Sequence, residues 1–98
     1  MQTQAVQQQQ QQIQIKGDDK TLQGLYANAM QVAHTSEEFV LDFMNVFPPT
    51  GTLNARVIVS PGHLKRMVAA LADNLQKYEA AFGKIAAAQD PGEIGFKA

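Results

Sequence analysis

Three acids and a histidine stand close together in "HTSEEFVLDF", residues 34–43: His34, Glu37, Glu38 and Asp42. General acid–base catalysis needs two carboxylates, or a carboxylate and a histidine, converging in one pocket. The polar "TSE" between two apolar runs reads instead as a hairpin turn, which leaves Glu37 and Glu38 in water. Asp42 alone lies inside an alternating apolar strand. His34, Glu37 and Glu38 are also possible metal ligands, but the second histidine, His63, falls at a helix start, and a lone histidine near a turn is ordinarily polar surface. With no cysteine, the chain has no disulfide, thiolate zinc site or cysteine nucleophile. "GLYANA", residues 24–29, opens no helix and carries no further spaced glycines, so it is no dinucleotide fingerprint. The expectation is a non-enzymatic protein with no catalytic residue, no metal and no cofactor.

Anion binding is the second chemistry to weigh. His63, Lys65 and Arg66 fall on the first turns of a predicted helix, whose free N–H groups favour anions, and Arg56 lies on the strand before it. A dimer would double this patch into a nucleic-acid-binding surface. Against it stands a formal net charge of −1, far from the basic face usual for such proteins. Between Leu25 and Ile85 the acids (Glu37, Glu38, Asp42, Asp73, Glu79) and the bases (Arg56, Lys65, Arg66, Lys77, Lys84) cancel. Solvated helix-surface charge is the plainer reading of the cluster, and nucleic acid the alternative one.

The elements that would position these residues are clearer than the chemistry. "LYANAMQVAH" (25–34) and "EFVLDFMNVF" (38–47) flank the turn as antiparallel strands. If His34 pairs with Phe39, one side of the hairpin collects Tyr26, Met30, Val32, Phe39, Leu41 and Phe43, a core face. The other side then sets Ala27, Ala29, Gln31 and Ala33 against Val46, Met44, Asp42 and Val40. Asp42 meets Gln31 there, so a solvated or amide-paired acid outweighs a catalytic one. The alanines and valines around it suggest a half-covered face, with a neighbouring subunit as the cover. "PPTGTLN" (48–54) reads as a loop and "ARVIVS" (55–60) as a short β-branched third strand.

The strongest signal follows. Ser60 is a good N-cap and Pro61 suits the first helical position. Beyond them Leu64, Val68, Leu71, Leu75, Tyr78, Phe82 and Ile85 recur at spacings of 4, 3, 4, 3, 4, 3, a heptad seam widened by Met67 and alanines. A helix over this stretch is about 37 Å long, whereas a short strand spans about 17–20 Å. One small sheet does not cover that stripe, and leaving it wet forfeits about 1.5–3 kcal/mol per large side chain. A homodimer is the economical remedy, with the seven seam residues divided between sheet packing and a partner helix. A different protein's helix or strand is the other candidate cover.

Composition sets the frame. The chain has 98 residues, is 45% hydrophobic and 17% charged, and holds no apolar run near the roughly 18–20 residues of a membrane span. "QTQAVQQQQQQIQ" (2–14) is low complexity, "KGDDK" (16–20) is a charged linker, and "QDPGEIGFKA" (89–98) carries a proline and two glycines. The expected organisation is a disordered glutamine-rich tail over 1–20, one α+β domain over 21–86 and a flexible tail over 87–98. That domain is a three-stranded antiparallel meander followed by one long C-terminal helix, in an intertwined or helix-paired homodimer. No signal sequence or membrane segment is read, and the lack of cysteine fits the cytoplasm.

"YANAMQVAHTSEEFVLDF" and "ARVIVSPGHLKRMVAALADNLQKYEAAFG" together resemble the bacterial domain-of-unknown-function (DUF) family 3467. The positions that carry the resemblance are Asn28, Thr35, Glu37, Glu38, Leu41, Asp42, Phe43, Arg56, Val57, Ser60, Pro61, Lys77, Tyr78 and Glu79, spread over residues 25–85. Ser36 stands where the family often has proline. The resemblance implies a small bacterial domain with no established catalytic residues.

Overall fold

Three antiparallel strands and a long helix build the chain in the computed structural model, which describes residues 12–96. The elements are α1 (Asp19–Gln23), β1 (Ala29–His34), β2 (Phe39–Phe47), β3 (Thr50–Val59) and α2 (Pro61–Phe82). The sheet order is β1-β2-β3, an open meander, so the expected α+β architecture holds. Residues 1–11, most of the glutamine-rich leader, and residues 97–98 lie outside the described part.

The first hairpin forms as its turn chemistry dictates. The Thr35 hydroxyl accepts from the N–H groups of Glu37 (3.1 Å) and Glu38 (3.2 Å), and the Thr35 N–H donates to the Glu38 carbonyl at 2.9 Å. A side chain that bonds its own turn competes with continued strand and fixes the reversal. The register is the expected one: His34 opposite Phe39, Val32 opposite Leu41, Met30 opposite Phe43 and Gln31 opposite Asp42. Asn28 extends this ladder by imitating a backbone, since its side chain donates to the Val46 carbonyl at 3.0 Å and accepts from the Val46 N–H at 2.8 Å.

Three expectations need correction. "PPTGTLN" is not a loop; Pro48 and Pro49 make a tight turn and β3 begins at Thr50. Prolines cannot donate to a ladder, so the turn falls on them and the polar residues after it resume pairing. Gly51 fits this close approach, because a Cβ there would lie 3.1 Å from the Asn45 carbonyl oxygen. A bulge between Phe43 and Met44 takes up the extra residue in β3. Secondly, "KGDDK" is not all linker: Asp18 accepts from the Thr21 N–H at 2.7 Å and caps α1. Thirdly, α2 ends at Phe82, because Gly83 adopts φ 96° and its N–H closes on the Glu79 carbonyl. Ile85, the last residue of the heptad seam, therefore lies beyond the helix.

The expected core is present as a pattern but uncovered within one chain. Among the described residues only Leu41 (4% exposed), Met44 (3%) and Asp42 (5%) are buried. Met30, Val32 and Val57 remain open to solvent on the sheet, as do Val68, Leu71, Leu75, Tyr78 and Phe82 on the helix. The element pairs with more than marginal contact are β1 with β2 and β2 with β3; α2 does not lie on its own sheet. The reason is local. Only Ser60 separates β3 from α2, and its backbone is extended (φ −72°, ψ 156°). One extended residue supplies no reversal, so the helix leaves the sheet.

Candidate functional site

Strand alternation gives the sheet two unlike faces. Met30, Val32, Phe39, Leu41, Phe43 and Val57 share the first, as cross-strand partners about the central strand. On it only Leu41, ringed by its neighbours, is hidden from water. Along α2 the stripe Leu64, Val68, Leu71, Leu75, Tyr78 and Phe82 makes a second apolar surface, in which the Tyr78 and Phe82 rings lie 5.0 Å apart. Leu64 is half-buried, whereas Leu71 and Phe82 are 68% and 75% exposed. Two apolar surfaces on one chain, each largely open to solvent, form the most extensive candidate site among the described residues.

The second face holds Gln31, Val40, Asp42, Met44, Arg56 and Ile58. Asp42 and Arg56 are direct cross-strand neighbours, and their side chains form a two-point ion pair. Arg56 Nε donates to Asp42 Oδ1 at 2.7 Å, and Arg56 Nη2 donates to Oδ2 at 2.9 Å. Such fork-to-fork geometry is the strong form of the interaction. The guanidinium holds the Asp42 carboxyl below the usual carboxylate range, against burial, which pushes it upward; Asp42 in turn raises Arg56. Sequence reasoning missed this partner, because it follows only once β3 is in register: with Phe39 opposite Val59, Asp42 meets Arg56. The Gln31 pairing is real as register, but Arg56 is what binds the acid.

Part of the half-covered face is bordered by the same chain. Residues 88–96 return along it. Pro91, Ile94 and Phe96 share a groove of about 560 Å³ with Met44, Val46, Gly51 and Leu53, and the Phe96 ring centroid lies 5.8 Å from Arg56 Cζ. An arginine over an aromatic ring is an attractive contact.

The proposed anion residues divide. Ser60 Oγ accepts from the His63 N–H at 3.2 Å, and Arg66 Nη2 lies 3.0 Å from His63 Nδ1. Lys65 is exposed on the same first turns. Arg56 is held on the strand by its carboxylate. Among the described residues no three His, Asp or Glu side chains gather as a metal set, and no helix is long and apolar enough to cross a membrane.

Several motif positions have structural work to do. Asn28 completes the ladder, Thr35 makes the turn, Ser60 caps α2, and the Glu79 carboxylate accepts from the Ile85 N–H at 3.0 Å where the chain leaves the helix. The model of the family described as "Protein of unknown function (DUF3467)" matches residues 1–87. No curated protein and no solved structure matches the chain.

Proposed function

Because the chain belongs to the DUF3467 family, whose function is not established, we propose its role from geometry alone: a non-enzymatic homodimerisation and assembly module. One observation carries this reading. Met30, Val32 and Val57 on the sheet's aromatic face and Val68, Leu71, Leu75, Tyr78 and Phe82 on the helix stripe are open to solvent in a single chain, and among the described residues the buried apolar ones are Leu41 and Met44. Full burial of a large apolar side chain contributes about 1.5–3 kcal/mol. Val68, Leu71, Leu75, Tyr78 and Phe82 together therefore command a sum comparable to a whole domain's stability, about 5–15 kcal/mol.

Surface area argues the same way. The chain exposes 8750 Å², whereas a compact monomer of its 10.7 kDa mass exposes about 5,500 Å². Exposed segments at 12–28 and 84–90 supply part of the excess. The nucleic-acid reading through Arg56, His63, Lys65 and Arg66 has less support, since Arg56 is neutralised by Asp42 and Arg66 is directed at His63.

Light scattering of the full chain over a wide concentration range tests the proposal. A dimer mass that persists on dilution is expected. A folded monomer at all concentrations would overturn it and leave the stripe for a different protein.

A further inference from the structure

We infer that the dimer forms by exchange: α2 of each copy lies across the aromatic face of the other copy's sheet. This rests on the homodimer reading above and specifies which surface meets which. Two alternatives compete with it, a pair of helices packed only on each other and a helix folded back on its own sheet.

The second alternative fails on connectivity. A single extended residue, Ser60, joins β3 to α2, and chain reversal between a strand and a helix takes a loop of two or three residues. The first fails on accounting for the sheet. Helix pairing alone would bury the stripe yet leave Met30 (52% exposed), Val32 and Val57 wet. Exchange covers both surfaces in one arrangement, and twice over by symmetry, because an isologous interface repeats each contact.

The dimensions agree. From Leu64 to Phe82 the stripe runs about 27 Å at the helical rise. The nine residues of β2, the strand along the centre of the face, run about 30 Å. Chemistry selects the same face. Its members are aliphatic and aromatic, whereas the opposite face carries the Asp42–Arg56 ion pair and is already bordered by residues 91–96 of its own chain. A partner helix laid there would have to displace that segment and desolvate the pair.

Mixing chains of two isotopic labellings reads the arrangement directly. One copy carries ¹³C-labelled leucine methyls, the other is unlabelled, and isotope-filtered NOEs report only contacts between chains. Exchange predicts NOEs from Leu71 and Leu75 methyls of one copy to Phe39 and Phe43 rings of the other. Contacts between chains that run only from helix to helix would overturn exchange while leaving the homodimer intact. Helix-to-sheet contacts confined to one chain would also overturn it. A monomeric mass in the same sample would remove the homodimer reading itself, so the two failures are distinguishable.

Discussion

The two faces of this sheet solve burial in opposite ways. On one, Asp42 and Arg56 neutralise each other at 2.7 and 2.9 Å and the chain's own residues 91–96 close over part of the strand. On the other, Met30, Val32 and Val57 stay open to solvent around the half-buried Phe39 and Phe43 and the buried Leu41, and among the described residues α2 does not lie over them. The ion pair is satisfied within the chain because each charge needs only its partner, although Ile58 on the same face stays open to solvent. The apolar face is not satisfied in this way, because its stabilisation comes from area removed from water, and a chain whose helix departs through one extended residue cannot supply that area. The difference locates the assembly surface.

The largest effect should come from the helix. Leu71→Glu places a charge in the stripe of both copies and should abolish the dimer and the fold, at a cost above about 3 kcal/mol per dimer. Light scattering with circular dichroism reads both, and a folded dimer carrying Leu71→Glu would break the comparison. Next is Met30→Ala on the aromatic face. Covered by a partner, it should cost about 2–5 kcal/mol per side chain in chemical denaturation; left open, the change would stay within about 0.5 kcal/mol.

The polar face should respond to pH more than to mass. Asp42 is depressed in the folded chain, so its contribution is complete above its unfolded value of about 3.9 and is lost as pH falls through the lowered one. Asp42→Asn should keep the fold and the dimer, lower the midpoint of thermal unfolding at pH 7, and flatten the acid side of the stability profile. Asp18, held down by the Thr21 N–H, keeps a residual acid dependence in that variant. An unchanged acid side would mean the pair does not persist in solution. Phe96→Ala removes the ring from Arg56 and should lower the thermal midpoint by less than Met30→Ala, with the mass unchanged. The smallest effect belongs to the exposed Asp73–Lys77 pair at 3.0 Å: Lys77→Gln should shift stability by no more than about 0.5 kcal/mol.

Local chemistry made much of this legible. The Thr35 turn, the register of β1 on β2, and the Ser60–Pro61 helix start each depend on residues a few positions apart. The third strand was legible only in its β-branched half, because Gly51 and Asn54 are poor strand formers that follow two prolines, and this part pairs by virtue of β2 beside it. Gly83 was visible as a breaker, but the periodicity that continues to Ile85 argued for a longer helix than the backbone keeps.

The candidate site divides along the same line. Sequence alone determined the apolar stripe of α2 and the apolar face of the hairpin, since both follow from spacing and the fixed periods of helix and strand. Only the tertiary structure decided that they do not meet within one chain. That outcome rests on how little chain joins them: Ser60 is extended, as an N-cap before proline is, and pairing with β2 carries β3 up to Val59, leaving no further residue for a reversal. The pairing of Asp42 with Arg56 is likewise a matter of register between strands fourteen residues apart at that point, and the approach of Phe96 to Arg56 depends on a segment returning from beyond the helix. Side-chain spacing sets which surfaces need covering; chain path sets whether the same molecule can cover them.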